Sequence, residues 1–278
     1  MHTILQAGLP KSGNYWLWTM IQAAFKATDA QTRSYVTTHP IRPLTSTWTL
    51  TFSEQPDVDM IRVDPDADWM IVLPRYKEKI NNLDDYIQRV SHVWTHSPVW
   101  NQRAATTMAS FQKRVYIIRD LRSVIVSRAY YDVTPYKLNE FSDPPGTFEA
   151  SLQRAVEREP ARWYEHLTSW LDFSLKHDVL FIRYEDFRLN LSTTCELLLE
   201  YIGIAQPDIV AKSLSQQLSI DSMRGLAPRH VRSGTVDEWQ SLLVPEHFRN
   251  ITPNIIKLMD RFGYNSTKED DLSSTQTE

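Results

Sequence analysis

Short runs of apolar, largely β-branched residues, most of them followed by a stretch of helical period, constrain this fold more than any other feature. Four such runs, residues 3–8 (TILQAG), 92–96 (HVWTH), 114–119 (RVYIIR) and 179–184 (VLFIRY), read as buried strands. Helical periodicity covers 14–26, 98–111, 121–131 and 191–203. A further helix is expected over 160–176, opening at Pro160 and placing Trp163, Leu167, Trp170, Leu171 and Leu175 on one face. Strands alternating with helices imply an α/β fold: a mostly parallel central sheet with right-handed crossovers and helices on its faces. Segments 30–90 and 132–147 are rich in Pro, Asp and Thr and fit neither period. They read as irregular insertions beside the carboxyl ends of the strands, where sheets of this kind build their substrate sites.

A chain of 278 residues, 42% hydrophobic and 23% charged, carries enough apolar mass for a sizeable core. It reads as a single domain over 1–263, followed by a disordered polar tail over 264–278. The formal charge of −4 counts against a general nucleic-acid binder, which carries a basic excess. Cys195 is the only cysteine, so an intrachain disulfide is excluded, in keeping with a reducing compartment. The start, MHTILQAGLP, lacks the basic segment and apolar run of a secretory signal. No stretch approaches the roughly 18 apolar residues of a membrane span. These features point to a cytoplasmic protein with no membrane partner, in which the sequons at Asn190, Asn250 and Asn265 are chance matches. The sequence carries no signal for an oligomeric state.

The stretch LPKSGNYW, residues 9–16, joins the first strand to the first helix. Loop amides and a helix N-terminus in that setting bind anions. Lys11 would add a point charge and Ser12 a hydroxyl donor. Gly8 and Gly13 are five residues apart, as in the triphosphate-binding loop. In that loop Lys-Ser/Thr follows the second glycine, whereas Lys11 and Ser12 precede Gly13, which counts against a P-loop kinase. Taken alone, the stretch fits an ordinary turn equally well. Two further basic elements follow. Arg119 ends a strand, and Ser127 lies about two helical turns along the next helix. Arg229, His230 and Arg232 precede Gly234 in a segment of no regular period. Each has a plain alternative, an arginine at a strand end or a solvated basic loop.

Together these stretches resemble the sulfotransferases that use 3′-phosphoadenosine 5′-phosphosulfate (PAPS). LPKSGNYW resembles their 5′-phosphosulfate loop, Pro-Lys-Ser-Gly-Thr-Thr-Trp. RDLRSVIVS, 119–127, resembles their 3′-phosphate site, an Arg and a Ser eight residues apart. RSGTVDEW, 232–239, resembles their Arg-Lys-Gly-x-x-Gly-Asp-Trp segment, which closes over the same phosphate. FIRYEDF, 181–187, resembles the Tyr-Glu-Asp stretch after a central strand. All four fall in the family's order. The resemblance implies a P-loop nucleotide-kinase-like sulfotransferase fold, PAPS as sulfonate donor, the 3′,5′-diphosphate of adenosine (PAP) as product, a small-molecule acceptor and no metal ion. It implies donor contacts from Lys11, Ser12, Gly13, Asn14, Tyr15, Trp16, Arg119, Ser127, Tyr184, Arg232, Ser233 and Gly234. Trp16 would stack on the adenine or else fill the core, and Tyr184 would touch the adenine edge. LSIDSM, 218–223, resembles a Thr-Ser-Phe-x-x-Met segment, which adds Met223 and puts Ile220 where the family has an aromatic. That change removes stacking of about 1 kcal/mol.

Sulfonyl transfer to a hydroxyl releases a proton, which a histidine with a pKa of about 6.5 can accept. WTHSP, 94–98, resembles the family's Lys-Thr-His-x-Pro, which makes His96 the general base ahead of His39 and His92. The implied chemistry is direct in-line transfer to an acceptor oxygen or nitrogen, with Lys11 and the loop amides stabilising the leaving diphosphate. Two positions depart from the family. Trp94 stands where it has a lysine two residues before the base, and Ser233 where it has a lysine after Arg232. Arg229, His230 and Arg122 are the candidates to compensate at the 3′-phosphate. The departures leave open a homologue that binds the donor but has lost turnover.

The acceptor is less legible. Residues 54–68, EQPDVDMIRVDPDAD, hold six acids and one arginine where the family places an acceptor-side loop. Their field would draw in a cationic or polar metabolite; the alternative is a solvated surface loop. Trp48, Phe52, Trp69, Trp100, Tyr130, Tyr131 and Tyr136 either line the acceptor pocket or fill the core.

Overall fold

The computed structural model describes residues 2–264 except Pro74, His230 and Ser233. Seven strands form one sheet: β1 (Ile4–Ala7), β2 (Met60–Val63), β3 (Asp68–Val72), β4 (Tyr76–Lys79), β5 (His92–Thr95), β6 (Lys113–Ile118) and β7 (Leu180–Arg183). Their order across the sheet is β4-β3-β2-β5-β1-β6-β7. The five strands from β2 to β7 in that order run parallel, and β3 and β4 return antiparallel beyond β2. The four strands expected from apolar runs are all present, each within one residue of its expected ends.

Parallel neighbours need covered crossovers, and the helices supply them. In chain order these are α1 (Asn14–Ala27), α2 (Leu83–Gln88), α3 (Gln102–Ala109), α4 (Leu121–Asp132), α5 (Pro135–Glu140), α6 (Phe148–Ser174), α7 (Tyr184–Leu189), α8 (Leu191–Tyr201), α9 (Pro207–Gln217), α10 (Ile220–Leu226), α11 (Trp239–Leu242) and α12 (Pro253–Arg261). Side chains alternate between the faces of a strand, so each central strand feeds two hydrophobic layers. Leu5, Ala7, Tyr116 and Ile118 pack with Leu121, Trp163 and Trp170 on one face. Ile4, Val115, Ile117 and Ile182 pack with Leu17, Ile21 and Leu198 on the other.

The structure differs from the sequence expectation in three places. The helix expected to open at Pro160 starts at Phe148, where the Thr147 side chain caps the Ala150 amide at 3.2 Å, and runs through the proline. A proline inside a helix removes one backbone hydrogen bond and costs roughly 3 kcal/mol. Burial of Leu152, Ala155, Val156 and Trp163 along the stripe packed on α4 offsets it.

Neither segment read as an irregular insertion is one throughout, since 30–90 contains β2, β3, β4 and α2, and 132–147 contains α5. The apolar positions of β2 and β3 were hidden by the acids around them, and their strand character comes from pairing, with Met60 opposite Trp94 and Arg62 opposite Trp69. Those acids are engaged in structure. Asp59 accepts the Val36 amide at 2.8 Å, and its burial pushes the carboxyl up to about 6. Asp57 pairs with Arg42, Asp64 with Arg62 at 2.8 Å, and Asp68 with Arg103 at 3.0 Å.

At the other end, Tyr264 was expected in the tail but is buried, its hydroxyl donating to Glu185 at 2.8 Å. Residues 265–278 lie outside the described residues.

Candidate active site

Parallel register lines up the strand ends. Ala7 lies level with Thr95 on one side and Tyr116 on the other, and Ile118 lies level with Arg183. The residues just past those ends, Gly8, His96, Arg119 and Tyr184, therefore emerge along one edge of the sheet. A cavity of about 760 Å³ opens there. Of the residues implicated by the sequence, Lys11, Gly13, Asn14, Tyr15, Trp16, His96, Arg119, Ser127, Tyr184, Ile220, Met223, Arg232 and Gly234 line it. Ser12 does not: it is fully buried beside the cavity, its amide bonded to the Leu9 carbonyl at 3.2 Å. Ser233 and His230 lie outside the described residues.

The loop after β1 is held by its own polar groups. Asn14 donates to the Leu9 carbonyl at 2.9 Å, and Gln6 donates to the Asn14 carbonyl at 2.6 Å. Gly13 caps α1 with φ of 97°, and a Cβ there would lie 2.4 Å from the Tyr184 ring, so the position requires glycine. Lys11 also has positive φ, 79°. A non-glycine residue held there stores roughly 1–3 kcal/mol, and its side chain lines the cavity with the ammonium 4.2 Å from the Tyr131 ring.

On the β6 side, Arg119 donates to the Lys11 carbonyl at 3.2 Å and to the Thr235 carbonyl at 3.1 Å. Its guanidinium lies over the Tyr184 ring at 4.1 Å. Tyr184 meets Trp16 edge to face, and the Trp16 indole donates to the Leu218 carbonyl at 2.9 Å, so Trp16 lines the cavity while being built into the core. Arg232 pairs with Glu238 and lies over the Tyr130 ring at 3.7 Å. Gly234 lets its segment approach Ile220, which a Cβ would meet at 2.2 Å.

Cations crowd this space. Burial, and after it the nearby Arg128 and Arg119, lower Lys11 to about 7. His96 Nδ1 lies 2.6 Å from the Gly8 carbonyl, an acceptor only, so the proton sits on Nδ1 and Nε2 keeps its lone pair. Burial lowers this histidine to about 4, with Arg128 and Lys11 adding to the effect, which leaves it an unprotonated base at neutral pH. The competing histidines are structural. His92 sits inside the sheet between Gln6 and Gln22, and His39 pairs with Glu78. Sequence reasoning overlooked His166, whose Nε2 meets the His96 carbonyl at 3.2 Å and whose Nδ1 meets the Tyr116 hydroxyl at 2.8 Å. No motif marks it, because α6 brings it there from seventy positions away.

The sulfotransferase domain family matches residues 2–263, nearly the whole described chain. The chain belongs to that family. Sulfotransferase 1A1 of Mus musculus is 25% identical over 165 residues, spanning 53% of this chain and 55% of that protein. Sulfotransferase 1A1 of Bos taurus is 30% identical over 114 residues, spanning 40% and 37%. The chain therefore aligns with about half or less of those relatives' lengths. Among solved structures, a mouse sulfotransferase, SULT7A1, complexed with PAP superposes with a TM-score of 0.57 at 17% identity, covering 99% of this chain and 89% of that one. Retinol dehydratase in complex with androsterone and PAP gives 0.54 at 17% identity, covering 99% and 82%. At such identity the likeness speaks to the fold.

The two departures from the sulfotransferase pattern have different consequences. Trp94 lines the cavity where a lysine was expected, and its Nε1 is buried with no hydrogen-bond partner among the described residues. Arg122 does not compensate at the cavity: Asp120 binds it at 2.6 Å and Trp239 stacks on it at 3.7 Å. Arg229 does reach the lining.

The remaining wall is mainly aromatic and apolar. Phe52, Tyr130, Tyr131 and Tyr136 line it together with Leu50, Val58, Met60 and Phe141, and Lys137 is also present. Trp48, Trp69 and Trp100 lie elsewhere, as do all six acids of 54–68. Tyr15, expected at the donor, packs against Phe52 at 4.4 Å on this side.

Proposed function

We propose that this protein transfers the sulfonate group of PAPS directly to a hydroxyl group of a small, largely apolar acceptor, releasing PAP. The observation that carries the reading is the convergence of Lys11, His96, Arg119, Ser127 and Tyr184 on one cavity at the carboxyl edge of the parallel strands. Glu238 is the only carboxylate among the described lining residues, against several cations, so the space is built for an anion.

His96 takes the acceptor proton at Nε2, the nitrogen its bond to Gly8 leaves free. Lys11 and the N-terminus of α1 meet the 5′-phosphate side, where charge develops as the sulfonate departs. Arg119, Ser127 and Arg232 hold the 3′-phosphate, and Trp16 and Tyr184 the adenine. The aromatic wall supports a neutral acceptor such as a phenol or lipophilic alcohol over a cationic metabolite, because none of the acids of 54–68 lines the cavity and four of them are engaged elsewhere. No metal ion takes part in this chemistry. A cytoplasmic setting belongs to the proposal and rests on the lone cysteine, Cys195, which is buried and free.

A thermal-shift titration with PAP, beside ATP with Mg²⁺ and plain AMP, tests the donor. A ligand at a hundred times its dissociation constant stabilises by roughly 2.7 kcal/mol. Stabilisation by PAP alone is expected, and a larger shift from ATP with Mg²⁺ would return the loop to a kinase reading. Sulfonate transfer from PAPS to phenols, alcohols and arylamines, with and without EDTA, then tests turnover. Trp94 favours one second reading, a PAP-binding homologue without turnover, which would bind PAP and sulfonate none of the panel.

A further inference from the structure

The wall beside the base cannot carry the cation that the sulfotransferase pattern puts there, because Trp94 fills it with an indole. A different element brings a charge to the same region. Arg128 lies on α4, one residue past Ser127, and both line the cavity. Its side chain is only 12% exposed, and two carboxylates fix it: Glu159 at 3.3 Å, from α6, and Asp132 at 3.7 Å, one turn along α4. Glu159 is shared with Arg162 at 2.8 Å and Asp132 stands off at 3.7 Å, so Arg128 is held from two elements by contacts that are loose or shared. Arg128 shares the cavity lining with Lys11 and His96, and of the charged groups around each it acts most strongly on both.

We propose that Arg128 is a catalytic residue that replaces the cation lost at Trp94, its guanidinium meeting the sulfonate as it passes from donor to acceptor. The assignment rests on the sulfotransfer reading. In the step, a lone pair of the acceptor oxygen forms a bond to sulfur as the bond from sulfur to the 5′-phosphate oxygen breaks. The electron pair of the broken bond leaves on that phosphate, and the acceptor proton passes to His96 Nε2. Negative charge spreads over the sulfonate oxygens and the leaving oxygen, and a planar guanidinium can meet two of them at once. Anchored beforehand by Glu159 and Asp132, it needs no reorganisation as that charge develops.

The test is steady-state kinetics with PAPS and the best acceptor of the panel, beside PAP titrations. Arg128→Met is expected to lower kcat about a hundredfold while acceptor KM and the PAP-induced thermal shift stay within a few-fold of the parent. Trp94→Lys added to Arg128→Met is expected to restore at least about tenfold of kcat, because it returns a cation to the same wall. A purely structural tie between α4 and α6 would lower Tm without the split between kcat and KM, and Trp94→Lys would not repair it. Should Arg128→Met not fold, Arg128→Lys keeps the charge and loses the fork, and a drop of about tenfold in kcat is expected of it. Folded variants with kcat within threefold of the parent overturn the assignment alone. A parent protein that PAP does not stabilise overturns the sulfotransfer reading and the assignment with it.

Discussion

The two ends of the cavity are built by different rules. The end proposed for the donor hangs on the ends of β5, β1, β6 and β7, so His96, Gly8, Arg119 and Tyr184 each follow a strand by one residue. The end proposed for the acceptor is drawn from the segments around 49–60 and 130–141, and its wall is made of Phe52, Val58, Met60, Tyr131, Tyr136 and Phe141. A multiply charged anion needs cations and amides at fixed points, and fixed points beside parallel strands become fixed spacings in sequence. An apolar wall needs only volume in roughly the right place, which many residues supply. One end therefore leaves motifs and the other does not.

The largest effect should separate chemistry from donor binding. His96→Ala is expected to lower sulfonate transfer by about 10³ while leaving the PAP-induced thermal shift within a degree or so of the parent. If the substitution abolishes PAP binding as well, His96 belongs to the donor end and the division between base and anion site is wrong.

The next effect tests the charge at the donor end through pH. Lys11, held at about 7 by burial and then by Arg128 and Arg119, is charged below that pH and neutral above it. A bound anion favours its protonated form, so above neutrality PAP binding must take up a proton. Affinity should then fall about tenfold per pH unit between roughly pH 7.5 and 8.5. Calorimetry in two buffers of different ionisation enthalpy should register the uptake, and Lys11→Met should remove it. A PAP affinity flat over that interval would show that Lys11 is charged before the anion arrives.

The smallest effect probes the apolar end. Phe52→Ala should raise acceptor KM about tenfold, the worth of roughly 1.5 kcal/mol of lost apolar contact, and leave PAP affinity unchanged. A loss of PAP affinity instead would mean that Tyr15, which packs on Phe52 at 4.4 Å, serves the donor after all.

Legibility followed the same division within the fold. β1, β5 and β6 are buried on both faces, and β7 at the sheet edge is apolar in three of its four residues, so these runs stand out. β2 and β3 lie toward the edge among Asp57, Asp59, Asp64 and Asp68, and the density of acids hid the strands. Those carboxylates looked like a field aimed at a substrate, but Arg42, Arg62, Arg103 and the Val36 amide engage them within the structure. Pro160 looked like a helix start because proline is welcome in a first turn. Only the stripe buried against α4 makes it tolerable in the interior of α6.

By itself the sequence determined the strand–helix alternation, the order and residue types of the anion-binding elements, and the candidacy of Lys11 and His96. These depend on short-range periods and spacings that the chain carries locally. Only the tertiary structure decided which nitrogen of His96 is free, that His166 stands behind it, that the acids of 54–68 point elsewhere, and that Arg128 stands near Lys11 and His96. Each of those depends on groups far apart in sequence, brought within a few ångströms by sheet order and helix packing, a relation no local pattern encodes.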